Sequence, residues 1–157
     1  MSGISVTIQR KDVNRSKIEA NLRALENGFV KVGFPSGGPI SSESINVAQK
    51  AAFNEYGSAE HNVPPRPFMK QAMELNRQKL RWLSAGLLSR VQRLLLSPRQ
   101  ALGILGEAHS GQIRSTIQTD GHFARNAPST IAKKGDDKPL IETSQMMNAI
   151  THKVVLK

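Results

Sequence analysis

The chain has 157 residues, 38% of them hydrophobic with only one Trp, one Tyr and five Phe, and it has no cysteine. That is enough for one domain with a modest, mostly aliphatic core; it excludes disulfides and thiolate metal sites, and no apolar run approaches the ~20 residues needed to span a bilayer. The formal net charge of +10 points to an anionic partner, whether nucleic acid, membrane surface or acidic protein, without choosing among them.

The first residues, MSGISVTIQRKD, lack the apolar segment of a signal peptide, so the mature protein is expected to begin here. Residues 4–9, ISVTIQ, alternate strictly. Ile4, Val6 and Ile8 share one face, as in a half-buried strand. In NRSKIEANLRALENG, Asn14 suits an N-cap, Ile18, Leu22 and Leu25 recur at helical spacing, and Gly28 suits the position after the helix. This predicts a short amphipathic helix over about 15–26. FVKVGFP then reads as a strand over 29–34, with Val30, Val32 and Phe34 on one face and Pro35 ending it. Residues 35–44 have the composition of a flexible loop. A helix from near Ser44 to Tyr56 follows, with Gly57 closing it.

Residues 64–67, Pro64, Pro65, Arg66 and Pro67, form a stiff hinge, because proline fixes φ and disfavours helix before it. Beyond it, Met69, Met73, Leu80, Leu83, Leu87, Val91 and Leu94 recur at three- and four-residue steps. They predict one long helix over about 67–96, whose seam thins at Asn76. SPRQ at 97–100 reads as a fresh start, with Ser97 as cap, Pro98 at the first position and Gln100 completing a capping box. This helix is expected to reach about Ile117, with Leu102, Leu105, Ile113 and Ile117 inward. Gly103, Gly106 and Gly111 each cost about 1 kcal/mol there, which suggests backbone packed closely against another element. Residues 119–142 have no period and read as a second long loop. TSQMMNAI is a short capped helix and THKVVLK a final strand.

The expected fold is therefore α+β: a small antiparallel β-sheet, from strands at 4–9, 29–34 and 151–156, with one long and several shorter helices packed on one face. Val154 with Leu156, or else Lys153 with Val155, should face inward. The whole of 1–157 forms one domain, with flexible loops near 35–44 and 119–142.

Catalytic signals are weak. His61, His109, His122 and His152 lack metal-ligand spacing, Asp136 and Asp137 are adjacent and would diverge in a turn, and no nucleophile elbow or phosphate-binding lysine pattern occurs. No enzyme, metal or cofactor is expected. Charge is the stronger signal. Residues 66–99 hold eight basic residues against Glu74 alone. A solvated face competes here with contact to DNA or an acidic partner. No helix-turn-helix, zinc finger or aromatic interleaving supports sequence-specific or single-strand binding.

Three stretches occur in an informative order: FVKVGFP, VAQKAAFNEYGSAEHNVPPRPFMKQAM and NAPSTIAKKGDDKPLIETSQMMNAITHKVV. Together they resemble the neck and tail-completion proteins of tailed phages, also described as virion morphogenesis or minor tail proteins and found in prophages too. That family's pattern is a strand ending V-G-F, an A..NEYG helix, an IPPRPF-type hinge and a KPLI-TG-L-NSI-Y-V C-terminus. The matched pieces span roughly residues 29–73 and 126–155. Ser144 replaces the usual Gly of TG, and FARNAPSTI replaces a Trp-containing stretch, so the resemblance is loosest in the long loop.

The resemblance implies a structural virion protein of the head–tail interface, a neck, tail-completion or tail-terminator component. It implies a homo-oligomeric ring, expected to be hexameric, between phage connector or adaptor and tail proteins, through which DNA passes. Such a protein is assembled in the host bacterial cytoplasm and resides in the virion, with no membrane partner. The hinge would aim the long helix against the sheet and leave the preceding loop free for a neighbour. Arg77, Arg81, Arg90 and Arg93 on the long helix, with Lys133 and Lys134 in the loop, become the candidates for facing DNA or an adjoining subunit. At 100° per residue the pair Arg77 and Arg81 lies a third of a turn or more from Arg90 and Arg93. The alternative reading is a small basic nucleic-acid-binding accessory protein of a phage or prophage.

Overall fold

The computed structural model describes residues 13–34, 46–60, 63–119 and 145–157, together with Phe123 and Ala132. Its elements are α1 (Val13–Glu26), β1 (Phe29–Gly33), α2 (Val47–Tyr56), α3 (Phe68–Gln92), α4 (Pro98–Gln118), α5 (Gln145–Ala149) and β2 (Thr151–Val155). The fold is α+β, mostly helical, with a small antiparallel sheet of two strands among the described residues. The strand expected at 4–9 and the loop at 35–44 lie outside the described residues, as does the loop expected at 119–142 apart from Thr119, Phe123 and Ala132.

The helix boundaries follow local chemistry, with two corrections. Asn14 was expected as a cap but lies inside the first turn of α1. The second helix starts at Val47 rather than near Ser44, because Asn46 and Gln49 form the capping box. The Asn46 side chain accepts from the Gln49 N–H at 2.8 Å, and the Asn46 N–H donates to the Gln49 side chain at 3.0 Å. At α4 the expected box is present: the Ser97 N–H donates to Gln100 Oε1 at 2.9 Å, and the Gln100 N–H to Ser97 Oγ at 3.3 Å. Such reciprocal caps satisfy two amides that the helix itself leaves open.

α3 and α4 form an antiparallel hairpin. Its turn carries Leu94 at φ 59°, where Gly is usual. The Leu94 N–H donates to Val91 O at 3.0 Å and the Leu95 N–H to Arg90 O at 2.9 Å. This is a Schellman ending made without glycine. At the open end of the hairpin, Phe68 and Ala72 of α3 meet Ile113 and Ile117 of α4, joined by Ala51, Phe123 and Ile150. At the turn end, Leu87 and Val91 meet Ala101, with Leu25 of α1 alongside. The expected seam of α3 holds for Leu87 and Val91 but not throughout: Met73 is 43% exposed.

The sheet lies on α4. β1 and β2 pair Val30 with Val154 and Val32 with His152, while Lys31 and Lys153 pair on the open face. Val154, not Lys153, therefore faces inward. α4 approaches so closely that a Cβ on Gly106 would stand 2.7 Å from the His152 ring and from a Val30 methyl. Close packing thus explains one of the three helical glycines only. Gly103 and Gly111 would meet nothing within 4 Å. Gly28 also serves proximity rather than a left-handed turn. Its φ is not positive, and an added Cβ would stand 2.6 Å from Ala24 O and 2.8 Å from a Leu156 methyl.

Two substitutions separate these roles. Gly106→Ala should destabilise by about 1–3 kcal/mol through overpacking. Gly103→Ala should stabilise by up to about 1 kcal/mol through helix propensity. Urea midpoints that move in the same direction for both would contradict the close approach.

Candidate interaction site at the junction of α2 and α3

The segment Asn54–Phe68 builds the junction from a helix end, a tight turn and the proline-arginine-proline hinge. α2 ends at Tyr56. Gly57 follows with φ 78°, and an added Cβ there would press on Pro65 at 3.1 Å. Both conditions favour glycine. Ser58 and Val63 exchange backbone hydrogen bonds at 2.9 Å in each direction, closing the turn.

The hinge residues divide into two kinds. Pro64, Pro65 and Pro67 are exposed, whereas Arg66 is only 7% exposed. The Arg66 N–H donates to Asn54 O, 2.6 Å away, and its Nη1 donates to Asn54 Oδ1 at 3.3 Å. Asn54 is itself held by its Nδ2 donating to Lys50 O at 2.9 Å. Arg66 therefore does not belong to the exposed charge of residues 66–99, with which it is grouped in sequence.

The start of α3 has no local cap. Pro67 occupies the cap position and offers no side-chain acceptor. Glu55, at the end of α2, fills the role across the junction. Its Oε2 accepts from the Met69 N–H at 2.9 Å, and its Oε1 from the Lys70 N–H at 3.0 Å. A carboxylate astride two open amides also sits at the positive end of the helix dipole. α2 and α3 are thus locked by one bidentate contact. Sequence reasoning missed Glu55, because capping patterns look three residues ahead and this cap reaches fourteen. The only signal was an acid in NEYG just ahead of a proline-led helix with no cap of its own.

The hinge was expected to aim α3 against the sheet, and it does not. α3 packs chiefly along α4, with the sheet on α4 as well, and near the strands Met69 touches Gly33. The aim of the hinge is instead to lay α3 beside α4 and leave its outer side open. Tyr56, at the tip of α2, is 82% exposed.

Arg77, Arg81, Arg90 and Arg93 are all exposed and make no ion pair among the described residues. Arg77 and Arg81 lie on one flank of α3. Arg90 lies on the other, and Arg93 ends the helix, its N–H donating to Ser89 O at 3.1 Å. No single face presents all four. Lys133 and Lys134 lie outside the described residues.

A second clamp was also missed. Arg114 of α4 donates from Nη2 to Ile150 O at 2.6 Å and from Nε to Met147 O at 3.4 Å. It thereby holds the end of α5 where the chain enters β2. Its Nη1 reaches Glu107 at 3.4 Å, and His152 Nδ1 stands 3.4 Å from the other oxygen of that carboxylate. The second contact lacks hydrogen-bond geometry, so His152 Nδ1 is buried without a partner. His109 is buried in α4 with Nδ1 3.2 Å from Gln112 Oε1. His61 and His122 lie outside the described residues, as do Asp136 and Asp137. Among the described residues no three His, Asp or Glu side chains group closely enough to hold a metal ion, and no helix is long and apolar enough to cross a membrane. Comparison with protein-family models, curated proteins and solved structures finds no match to this chain.

The junction has a direct test. Glu55→Ala should lower stability by about 2 kcal/mol, since it strips two charge-assisted bonds from a helix start. Glu55→Gln, which keeps one acceptor, should cost about half as much. Chemical denaturation measures both, and wild-type stability in Glu55→Ala would remove the carboxylate cap from the account.

Proposed function

We propose that this chain is a structural, non-enzymatic phage virion protein of the head–tail interface, acting as a neck, tail-completion or tail-terminator component. In this reading identical subunits form a ring between the head connector and the tail, and DNA passes through it. The observation that supports it most is the convergence of the three stretches that carry the family resemblance. β1 from FVKVGFP pairs with β2 from the C-terminal stretch. Ala51 and Phe68 from the central stretch share a core with Ile150 from the C-terminal one. Asn54 and Glu55 of NEYG hold Arg66 and the helix start that follows PPRPF. The resembling residues are thus those that build the fold and aim α3, as suits a part whose function is shape.

DNA contact in such a ring is non-specific and steeply salt-dependent. Arg77 with Arg81, or Arg90 with Arg93, supplies it, because the two pairs do not share a face. A phage or prophage carrying this chain provides the test. Deleting the chain should leave filled heads and separate or defective tails that fail to join. Replacing Pro64, Pro65 and Pro67 together by Ala should leave a folded protein, weakened by about 0.4–1 kcal/mol per site, with a larger loss in joined particles than in stability. Normal yields of joined, infectious particles from the deletion would refute the proposal.

A further inference from the structure

α3 carries an outer face that no other described element covers. Trp82, the only tryptophan, is 69% exposed, and Leu75 is 66% exposed. They stand seven residues apart, so they share one line along the helix, as two successive a positions of a heptad do. Beside that line, one turn beyond Trp82, Gly86 would meet nothing within 4 Å even with a Cβ added. The result is a large apolar knob next to an open notch. Lys79 and Arg81 occupy the positions that flank this line, e and g of the same heptad, with Glu74 one heptad before Arg81 on the g side. Arg77 and Arg90 lie further out on either side. All four are exposed and lack an ion pair among the described residues.

We infer that this face of α3 docks an acidic amphipathic helix of another protein. The partner helix would lay an apolar seam on Leu75 and Trp82, with Asp or Glu opposite Lys79 and Arg81. Charge decides against a second copy. The face carries Arg77, Lys79, Arg81 and Arg90 against Glu74 alone, so two α3 faces brought together would set one net positive surface against another, at a cost. No other described helix repairs this, since none carries more acids than bases: α1, the richest in acids, has Glu19 and Glu26 against Arg15, Lys17 and Arg23. A lipid surface is disfavoured because the line holds two large apolar side chains with the polar Gln78 between them and only Ala85 and Gly86 beyond, too little for interfacial binding. Nucleic acid is disfavoured at the Leu75–Trp82 line because a phosphate backbone laid there leaves Leu75 with nothing to pack against; with Arg81 engaged by the helix, DNA contact in the proposed ring falls to Arg90 with Arg93. A protein helix satisfies the apolar line and both flanks together. The inference does not depend on the head–tail reading; it needs only the exposed face.

Trp82 is its own reporter, since no other indole contributes to emission. The purified full chain is titrated with a synthetic helical peptide carrying Leu at a and d and Glu at e and g. The same peptide with Lys in place of Glu, phosphatidylglycerol vesicles, a short DNA duplex and increasing concentrations of the chain alone serve as comparisons. The Glu peptide should shift Trp82 emission to the blue saturably, more strongly at low salt, while the Lys peptide does not. Lys79→Glu combined with Arg81→Glu should weaken the effect at least tenfold, and Leu75→Ser should weaken it with the thermal midpoint little changed, because all three side chains are exposed. A blue shift produced by vesicles, duplex or self-concentration but not by the Glu peptide would overturn the inference. So would binding of the Glu peptide that ignores the charge reversal.

Discussion

The Glu55 carboxylate resting on the first amides of α3 is the contact on which the rest of the molecule depends. α3 begins at a proline and carries no cap of its own, so its start is satisfied only if α2 ends at that place and in that orientation. Prolines restrict the backbone on the way in, and Arg66 is drawn inward by Asn54. The hinge is therefore stiff for two reasons of different kinds. Proline narrows what the unfolded chain can do, and the carboxylate and Arg66 select one of the remaining directions. A long helix turns a small angular error at its base into a large displacement at its tip. Over 25 residues α3 is roughly 38 Å long, so control at its base matters to whatever its outer face meets.

The opposite side of the hairpin is held by proximity rather than by charge. α4 reaches the sheet closely because Gly106 has no side chain, and Val30 and His152 occupy the space that one would fill. Arg114 then ties the end of α5 to α4 immediately before β2 begins. Both clamps, Glu55 and Arg114, place a charge at the helix end whose dipole it complements. They act between separate elements, Glu55 across the junction of α2 and α3 and Arg114 across 36 residues to Ile150, in a chain with few aromatic residues to lock its core. The molecule thus compensates for a lean core with directed polar contacts at the places where elements change direction.

Much of this was legible in the sequence where the controlling chemistry is local. The alternation in FVKVGFP reads directly as β1 with Val30 and Val32 inward, and THKVV reads as β2, although its inward face, Val154 rather than Lys153, is settled only by the pairing. Ser97 and Gln100 announce the start of α4, since a capping box lies within four residues. Local reading erred where two local solutions compete: Asn46 with Gln49 begins α2, not the serines before it. It failed where the partner is distant. Nothing around Pro67 reveals that its cap is Glu55, and nothing around Gly106 distinguishes it from Gly103 and Gly111 until the sheet is in place. Met73 follows the apolar spacing of α3 yet lies at the edge of the seam, because helical spacing gives the direction of a face but not the width of the element that covers it. Of the candidate site, the hinge was legible as stiff, but its division into exposed prolines and a buried arginine was not. The outer line of Leu75 and Trp82 was hidden by the stronger inward pattern on the same helix.

The account turns on α2 holding the start of α3, and hydrogen exchange at two amides tests that most directly. The Met69 and Lys70 N–H groups belong to the first turn of α3, where helix amides ordinarily lack partners and exchange early. If Glu55 clamps them, both should be strongly protected in the native chain. Glu55→Gln should lower their protection while leaving the Gln100 amide, capped locally by Ser97, unchanged. Met69 and Lys70 amides that exchange as fast as those of an uncapped helix start in the native chain would contradict it.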